Sequence, residues 1–392
     1  MKPIVLLLLP LLCIATPFAK PDDPLDTAAN QAAQLGSWGA SVVAAPFKPF
    51  KIEETKKTIL KDGIKRINIW YGPFTVKGQN SSTKAGNVPS MDPAGTAWQY
   101  AAEDIPRDIT VLKSNVTLVY TDGTKADVSN GVYQHHSYIT AATKKLPSWF
   151  NCGTSKMLFE SLSPGSLFIG GSEDKYGGYY TTPTGDLNSG YYISKEDKLI
   201  MNGDVINYTP ADKIVYTLNE IEYMPGKAKG LMEASMYVMV PAQCEGQFGI
   251  ISGAGRSPQF SVKGKAMTVT RDATILAFRG HLHDGGDTLS VTINNQTVCE
   301  SKAKYGPAAA LSGIGAMGSH ERNVADPGPH GDALFETIVE MSQCYGPIEV
   351  KKGDTYLLEA KYDTVKHPVR HQPKGGEAEM MALGVAFMAL RE

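Results

Sequence analysis

Gly280-His281-Leu282-His283-Asp284-Gly285-Gly286 is the stretch on which the reading of this chain turns. The run before it, Ala273 to Phe278, is apolar but for Thr274 and reads as a buried strand. Side chains two apart on a strand point to the same face, so His281 and His283 can converge on one point. The glycines behind them let the backbone turn sharply and leave room beside that point. Two imidazoles on one face are half of a metal site. The plainer reading is a pair of surface histidines at a strand end.

Working outward from that stretch, the chain keeps one texture from Phe47 onward. Strand-length apolar runs are punctuated by Gly, Pro, Asn and Asp, as in Arg66 to Tyr71, Asp108 to Leu112 and Asn115 to Tyr120. Thr121-Asp122-Gly123 is a hairpin-turn signal, and Asn294-Asn295 joins Thr288–Ile293 to the strand after it. Pro225-Gly226-Lys227-Ala228-Lys229-Gly230 is the best linker candidate. With 392 residues, too many for one compact core, the expectation is two β domains, 20–224 and 225–392. Residues 26–35 are read as a short helix or loose chain. Gly313-Ile314-Gly315-Ala316-Met317-Gly318 matches a dinucleotide fingerprint on paper, but no strand-then-helix context surrounds it, so it is read as a loop.

The first half offers a second histidine motif, Gln134-His135-His136-Ser137, inside the strand-like run Gly131 to Tyr138. Adjacent residues on an ideal strand face opposite ways. A shared metal therefore needs a twist, a bulge, or a different ring nitrogen from each residue. The alternative is one buried and one exposed histidine. The remaining histidines, His320, His330, His367 and His371, either complete a ligand set or are ordinary loop residues. Methionines crowd the apolar final segment, Glu379-Met380-Met381-Ala382-Leu383. They read either as core filling or as soft thioether ligands that suit copper.

Charge excludes one class of partner. The chain has 38 basic and 40 acidic residues and a formal net charge of -2, with no basic stripe for nucleic acid. Lys2 followed by the apolar residues 4–14 and the small Ala15 and Ala19 reads as a secretory signal over 1–19. No run is long enough for a membrane span, so a soluble, extracellular and monomeric protein is expected. Beyond that signal, Cys152, Cys244, Cys299 and Cys344 remain, and four cysteines can pair in three ways. Cys299 and Cys344 both lie close to the His281 hairpin in sequence and are expected to pair. Cys152 with Cys244 would then tie the halves together. Asn80, Asn115, Asn207 and Asn295 head sequons, each open to a glycan if it reaches the surface. No Gly-x-Ser-x-Gly elbow, His-Glu-x-x-His helix or P-loop is present.

Taken together, His135-His136, His281-x-His283 and Glu379-Met380 occur in the order seen in the type II ascorbate-dependent copper monooxygenases, the family of peptidylglycine alpha-hydroxylating and dopamine beta-monooxygenases. The second half also resembles the plant stress-up-regulated nodulin family. Gly280 to Gly286, Val298-Cys299, Lys304-Tyr305-Gly306 and Met341-Ser342-Gln343-Cys344-Tyr345 carry that similarity. The resemblance implies an all-β fold of two antiparallel jelly-roll sandwiches packed side by side. It implies one copper per domain across an open gap, with ascorbate as reductant. His281, His283 and Met380 would hold the oxygen-activating copper, and His135 and His136 two ligands of an electron-transfer copper. The family's third histidine of that second site has no counterpart here. No histidine lies between His136 and His281, and the strand expected to supply it reads Val205-Ile206-Asn207-Tyr208. One or two copper ions are therefore expected, acting on an unidentified small-molecule or peptide substrate. The alternatives are a non-catalytic extracellular copper-binding or stress-related protein, and a glycan- or cell-wall-binding jelly-roll protein.

Overall fold

The computed structural model describes residues 44–59, 61–82, 85–90, 92, 94–152, 165–174, 177–245, 249–251, 256–308, 336–370 and 378–391. The expected signal segment, residues 26–35, the Gly313–Gly318 run, His320, His330 and His371 lie outside the described residues.

The protein is all-β, as its sequence texture requires. A five-stranded sheet runs in the order Pro46–Phe47, Gly95–Ala102, Leu199–Asn207, Val132–Ala141, Ser166–Gly171. A second sheet follows the path Lys51–Glu54, Lys65–Val76, Lys213–Pro225, Ile109–Val119, Ser189–Ile193, Met232–Met239, Met380–Leu390, Ala273–Leu282, Gln343–Val350. A third holds Glu336–Met341, Gln296–Pro307, Gly286–Ile293, Thr355–Asp363, Met267–Val269 and Phe150–Asn151. Asn294 and Asn295 take positive φ values of 50° and 64°, as a tight two-residue hairpin demands. Two expected strands, Asp108 to Leu112 and Asn115 to Tyr120, are one strand here, Ile109–Val119. Lys113 and Ser114 are polar but continue the ladder, so polarity alone did not mark a break.

The long second sheet is what brings the two halves together. Ser189–Ile193 pairs in parallel with Met232–Met239, so one sheet passes from the first half into the second without interruption. Pairing is otherwise antiparallel among the described strands, apart from the parallel contact of Pro46–Phe47 with Gly95–Ala102. The first core lies between the five-stranded sheet and the near part of the long one, around Ile69, Val111, Ile139, Phe168 and Tyr191. The second lies between the far part and the third sheet, around Phe278, Leu289, Tyr356 and Leu358.

Ala273–Leu282 and its neighbour Met380–Leu390 are covered on both faces. Ala277, Val385, Phe387 and Ala389 belong to the first core. Phe278, Leu282, Ala382, Ala386 and Met388 belong to the second. A strand buried on both sides has no solvent face to make polar, so it reads as a continuous apolar run. That is why Ala273 to Phe278 stood out in the sequence.

The disulfides are Cys299–Cys344 and Cys152–Cys244. The second does not link the halves in the way expected of it. Phe150–Asn151 pairs with Met267–Val269 in the third sheet, and Trp149, Phe150 and Cys152 all pack in the second core. The chain crosses early into the second half and returns.

Candidate metal centre

His135 and His136 sit on Val132–Ala141 in the five-stranded sheet. The register against Leu199–Asn207 shifts there: Asp204 faces His136, whereas Val205 faces Gln134. His135 is therefore the extra residue of a β-bulge. A bulge breaks the strict alternation of faces, and the two rings lie 4.2 Å apart, centroid to centroid. This is one of the three local devices a shared site required.

His281 and His283 approach from the far side. The His135 ring is 5.2 Å from that of His283, and the His136 ring is 5.3 Å from that of His281. His281 and His283 are themselves 5.3 Å apart. The ligand atoms of His135, His136 and His283 lie within 4.8 Å of one another. The two histidine motifs thus build one cluster between the halves, not two sites across an open gap.

Hydrogen bonds set which ring nitrogens are available. His283 Nδ1 is 2.9 Å from the Glu379 backbone oxygen. A carbonyl can only accept, so Nδ1 carries the proton and Nε2 keeps its lone pair. His281 Nδ1 is 2.8 Å from the Asp174 carboxylate, which orients that ring in the same way. The Nε2 atoms of His281 and His283 and both ring nitrogens of His135 are buried without hydrogen-bond partners. Buried polar atoms are seldom left unpaired. Imidazoles gathered at one point, two of them (His281 and His283) backed by an acceptor at Nδ1, form a donor set suited to copper or zinc.

Electrostatics favour neutral rings at two of the four positions. Burial, followed by the neighbouring His135 and His281, holds the pKa of His136 and His283 well below the ordinary histidine value. His135 goes the other way: burial opposes its protonation, but Asp204 and Glu379 outweigh burial and push it up to about 9. Those carboxylates stand 3.8 and 3.5 Å away, ion-pair distances rather than hydrogen bonds. Asp174 is buried, which alone would raise it, yet Arg279 and His281 hold it well below the usual carboxylate range.

Asp284 anchors the turn after His283. Its carboxylate accepts from Thr337 Oγ1 at 2.8 Å and from the Ile338 amide at 3.1 Å. Arg370, itself buried, lies 3.9 Å from Asp284 and 3.8 Å above the Tyr133 ring. The far end of the cluster is thereby tied to the strand that carries His135.

Met380 is not brought to the histidine face. His281 pairs with Leu383 and Leu282 with Ala382. Directly opposed residues share a face, so the odd-numbered residues of the final strand accompany His281. Met380 packs with Leu282 and Ala382 in the second core. Its neighbour Met381 pairs through the His283 amide, which donates to the Met381 oxygen at 3.1 Å. By that register Met381, opposite His283, is the methionine that shares a strand face with the two histidines, one residue on from the position singled out in the sequence. Met381→Leu is expected to weaken Cu(I) binding about tenfold while sparing Cu(II), because a thioether is a soft ligand. Met380→Leu should leave both affinities unchanged and cost less than about 1.5 kcal/mol of stability. Cu(I) competition titration of both variants checks the pair.

Asn207 does not face the cluster either. Its amide donates to Ala211 O at 2.8 Å, and its oxygen accepts from the Thr209 amide at 2.9 Å. Asn207→His is expected to add no copper and to cost about 1–3 kcal/mol, because it strips partners from a buried turn; chemical unfolding alongside metal analysis tests both. The same burial closes the Asn207 sequon, whereas Asn80 and Asn295 are exposed. His367 is committed elsewhere, stacked 3.6 Å from Tyr305.

The residues that sequence reading missed are Asp174, Asp204, Arg279, Glu379 as a side chain, and Arg370. None carries a local signal. Asp174 follows the Gly170-Gly171 turn and looks like an ordinary loop acid, and its partners Arg279 and His281 lie more than a hundred positions away.

No family model matches the chain. It is 22% identical over 281 residues to the probable copper-dependent oxygenase clz3 of Cochliobolus lunatus, covering 70% of this chain and 77% of that one. It is 23% identical over 326 residues to the probable copper-dependent oxygenase M1 of Phoma sp., covering 81% and 71%. Among solved structures it matches the glycosylasparaginase PNGase F of Flavobacterium meningosepticum at 10% identity with a TM-score of 0.33, covering 83% of this chain and 96% of that one. A score that low supports no inference about fold or activity.

Proposed function

We propose that this protein is a copper-dependent oxygenase with one metal centre between its two halves. The observation that carries the reading is the meeting of His135, His136, His281 and His283, three of them buried with unpartnered ring nitrogens. The weak but extended similarity to two fungal copper-dependent oxygenases agrees with it. His135, His136 and His283 would hold the copper, and His281, oriented by Asp174, would complete or exchange into the set. Copper there would supply one-electron chemistry toward dioxygen, with ascorbate as the reductant. Glu379 and Asp204 hold His135 in place, and Asp284 with Arg370 fixes the turn that carries His283. His136 keeps partial contact with solvent, which gives the centre a route for small molecules.

The two disulfides suit an oxidising compartment, and we take the protein to be exported and soluble. Metal analysis of purified, copper-loaded protein tests the centre. One tightly bound copper per chain is expected, with ascorbate-dependent oxygen uptake. Two equivalent ions would overturn the shared centre, and no bound copper would overturn the function.

A further inference from the structure

A cavity of about 310 Å³ opens in the first half, on the far side of Ser172 from the histidine cluster. We propose that it binds a neutral, hydroxyl-rich small molecule of about monosaccharide size. Its walls hold buried donors without partners. The Gln134 side chain lines the cavity at 5% exposure, and its Nε2 has no hydrogen-bond partner. Arg66 lines it too. Its other nitrogens reach Lys56 O and Glu220, but Nε has no partner. Two spare donors call for a ligand that accepts.

The charges argue against an ionic ligand. Three cationic and four acidic side chains line the cavity, and most are already engaged with one another or with the backbone. Glu222 accepts from the amides of Thr58 and Ile59 at 2.9 Å each, and Glu220 from Asn115 at 2.8 Å. An anion would meet this slight acidic excess, and a cation would leave both spare donors unmet. A hydroxyl both accepts and donates, so it can take the Gln134 and Arg66 protons and still give its own to a carboxylate lone pair.

The site also has room by construction. A Cβ on Gly171 would stand 3.6 Å from Gln134 Nε2 and 2.8 Å from Val116 O, so any side chain there would crowd the floor. Ser172 forms part of the wall, and its Oγ lies 3.2 Å from His281 Nδ1. A ligand in the cavity is thus one side chain removed from the metal centre, though its binding does not depend on metal.

The test uses metal-free full chain made in the bacterial periplasm, which forms disulfides without attaching glycans to Asn115 in the cavity lining. D-Glucose and myo-inositol are titrated while the Gln134 side-chain amide is followed by NMR. D-Glucuronate and cyclohexanol serve as anionic and apolar comparators. A saturable shift is expected with glucose or inositol and weaker binding of both comparators. Gln134→Leu should weaken binding about three- to tenfold, the worth of one net hydrogen bond. Thr117→Tyr suits a strand and fills the cavity, so it should abolish binding. Equal binding of glucuronate, no saturable shift, or insensitivity to Thr117→Tyr would overturn the proposal. Should Gln134→Leu fail to fold, Thr117→Tyr decides alone. Failure here leaves the copper reading untouched, since copper stoichiometry tests that separately.

Discussion

His283→Ala is expected to cost the protein all of its tightly bound copper rather than half of it. The ligand atoms of His283, His135 and His136 lie within 4.8 Å of one another, although the residues come from opposite halves of the chain. A centre built across the halves fails as a unit when either side is cut. Removal of an outer partner of a metal ligand already costs about 10–100-fold in affinity, so loss of the ligand itself should exceed 100-fold. His136→Ala should do the same. Two separate centres would give a different result, each substitution removing one ion and sparing the other. Copper per chain, measured after dialysis against a competing chelator, separates the cases. Half-occupancy in either variant would sink the shared centre. The fold should tolerate both changes, because no hydrogen bond of the His283 or His136 ring other than that to Glu379 O ties elements together among the described residues.

Much of this was legible in the sequence, and the boundary of what was legible has physical causes. Strand existence could be read because burial dictates residue type locally: Ala273–Leu282 is buried at every position, and its composition says so. The histidine pairs could be read as donors because a two-residue spacing has a fixed meaning on a strand. Their meeting could not, because it depends on the parallel pairing of Ser189–Ile193 with Met232–Met239, a contact with no local signature. The bulge at His135 is likewise decided by its partner strand, at Asp204 and Val205. Met380 against Met381 is the sharpest case. A slip of one residue moves a side chain from the second core to the histidine face, and only the register of Leu383 with His281 resolves it.

Asp174→Asn should be the most destabilising conservative change in the neighbourhood of the centre. Asp174 lies 3.3 Å from the Arg279 guanidinium and 2.8 Å from His281 Nδ1, and the Asp174 and Arg279 side chains are only 3% and 4% exposed. Breaking a buried pair by removing one charge leaves the other uncompensated, at a cost of about 3–5 kcal/mol. In a chain of 392 residues that corresponds to a fall of roughly 5 °C in melting temperature. The pH dependence has a definite sign. Arg279 and His281 hold the Asp174 carboxyl below its unfolded value, near 3.9, so the unfolded chain takes up this proton first. The contribution is therefore full at neutral pH and lost as pH falls below about 4 toward the lower folded value. The parent should lose stability in that acid range through this group, and Asp174→Asn should lack that component. Urea unfolding at neutral and acid pH measures both. Adding Arg279→Leu to Asp174→Asn removes the stranded cation, so the double variant should regain a large part of the lost stability. If the double variant is no better than Asp174→Asn, the cost lies in orienting His281. Copper affinity would then fall with stability in both variants, in place of the separate recovery of stability that a buried ion pair requires.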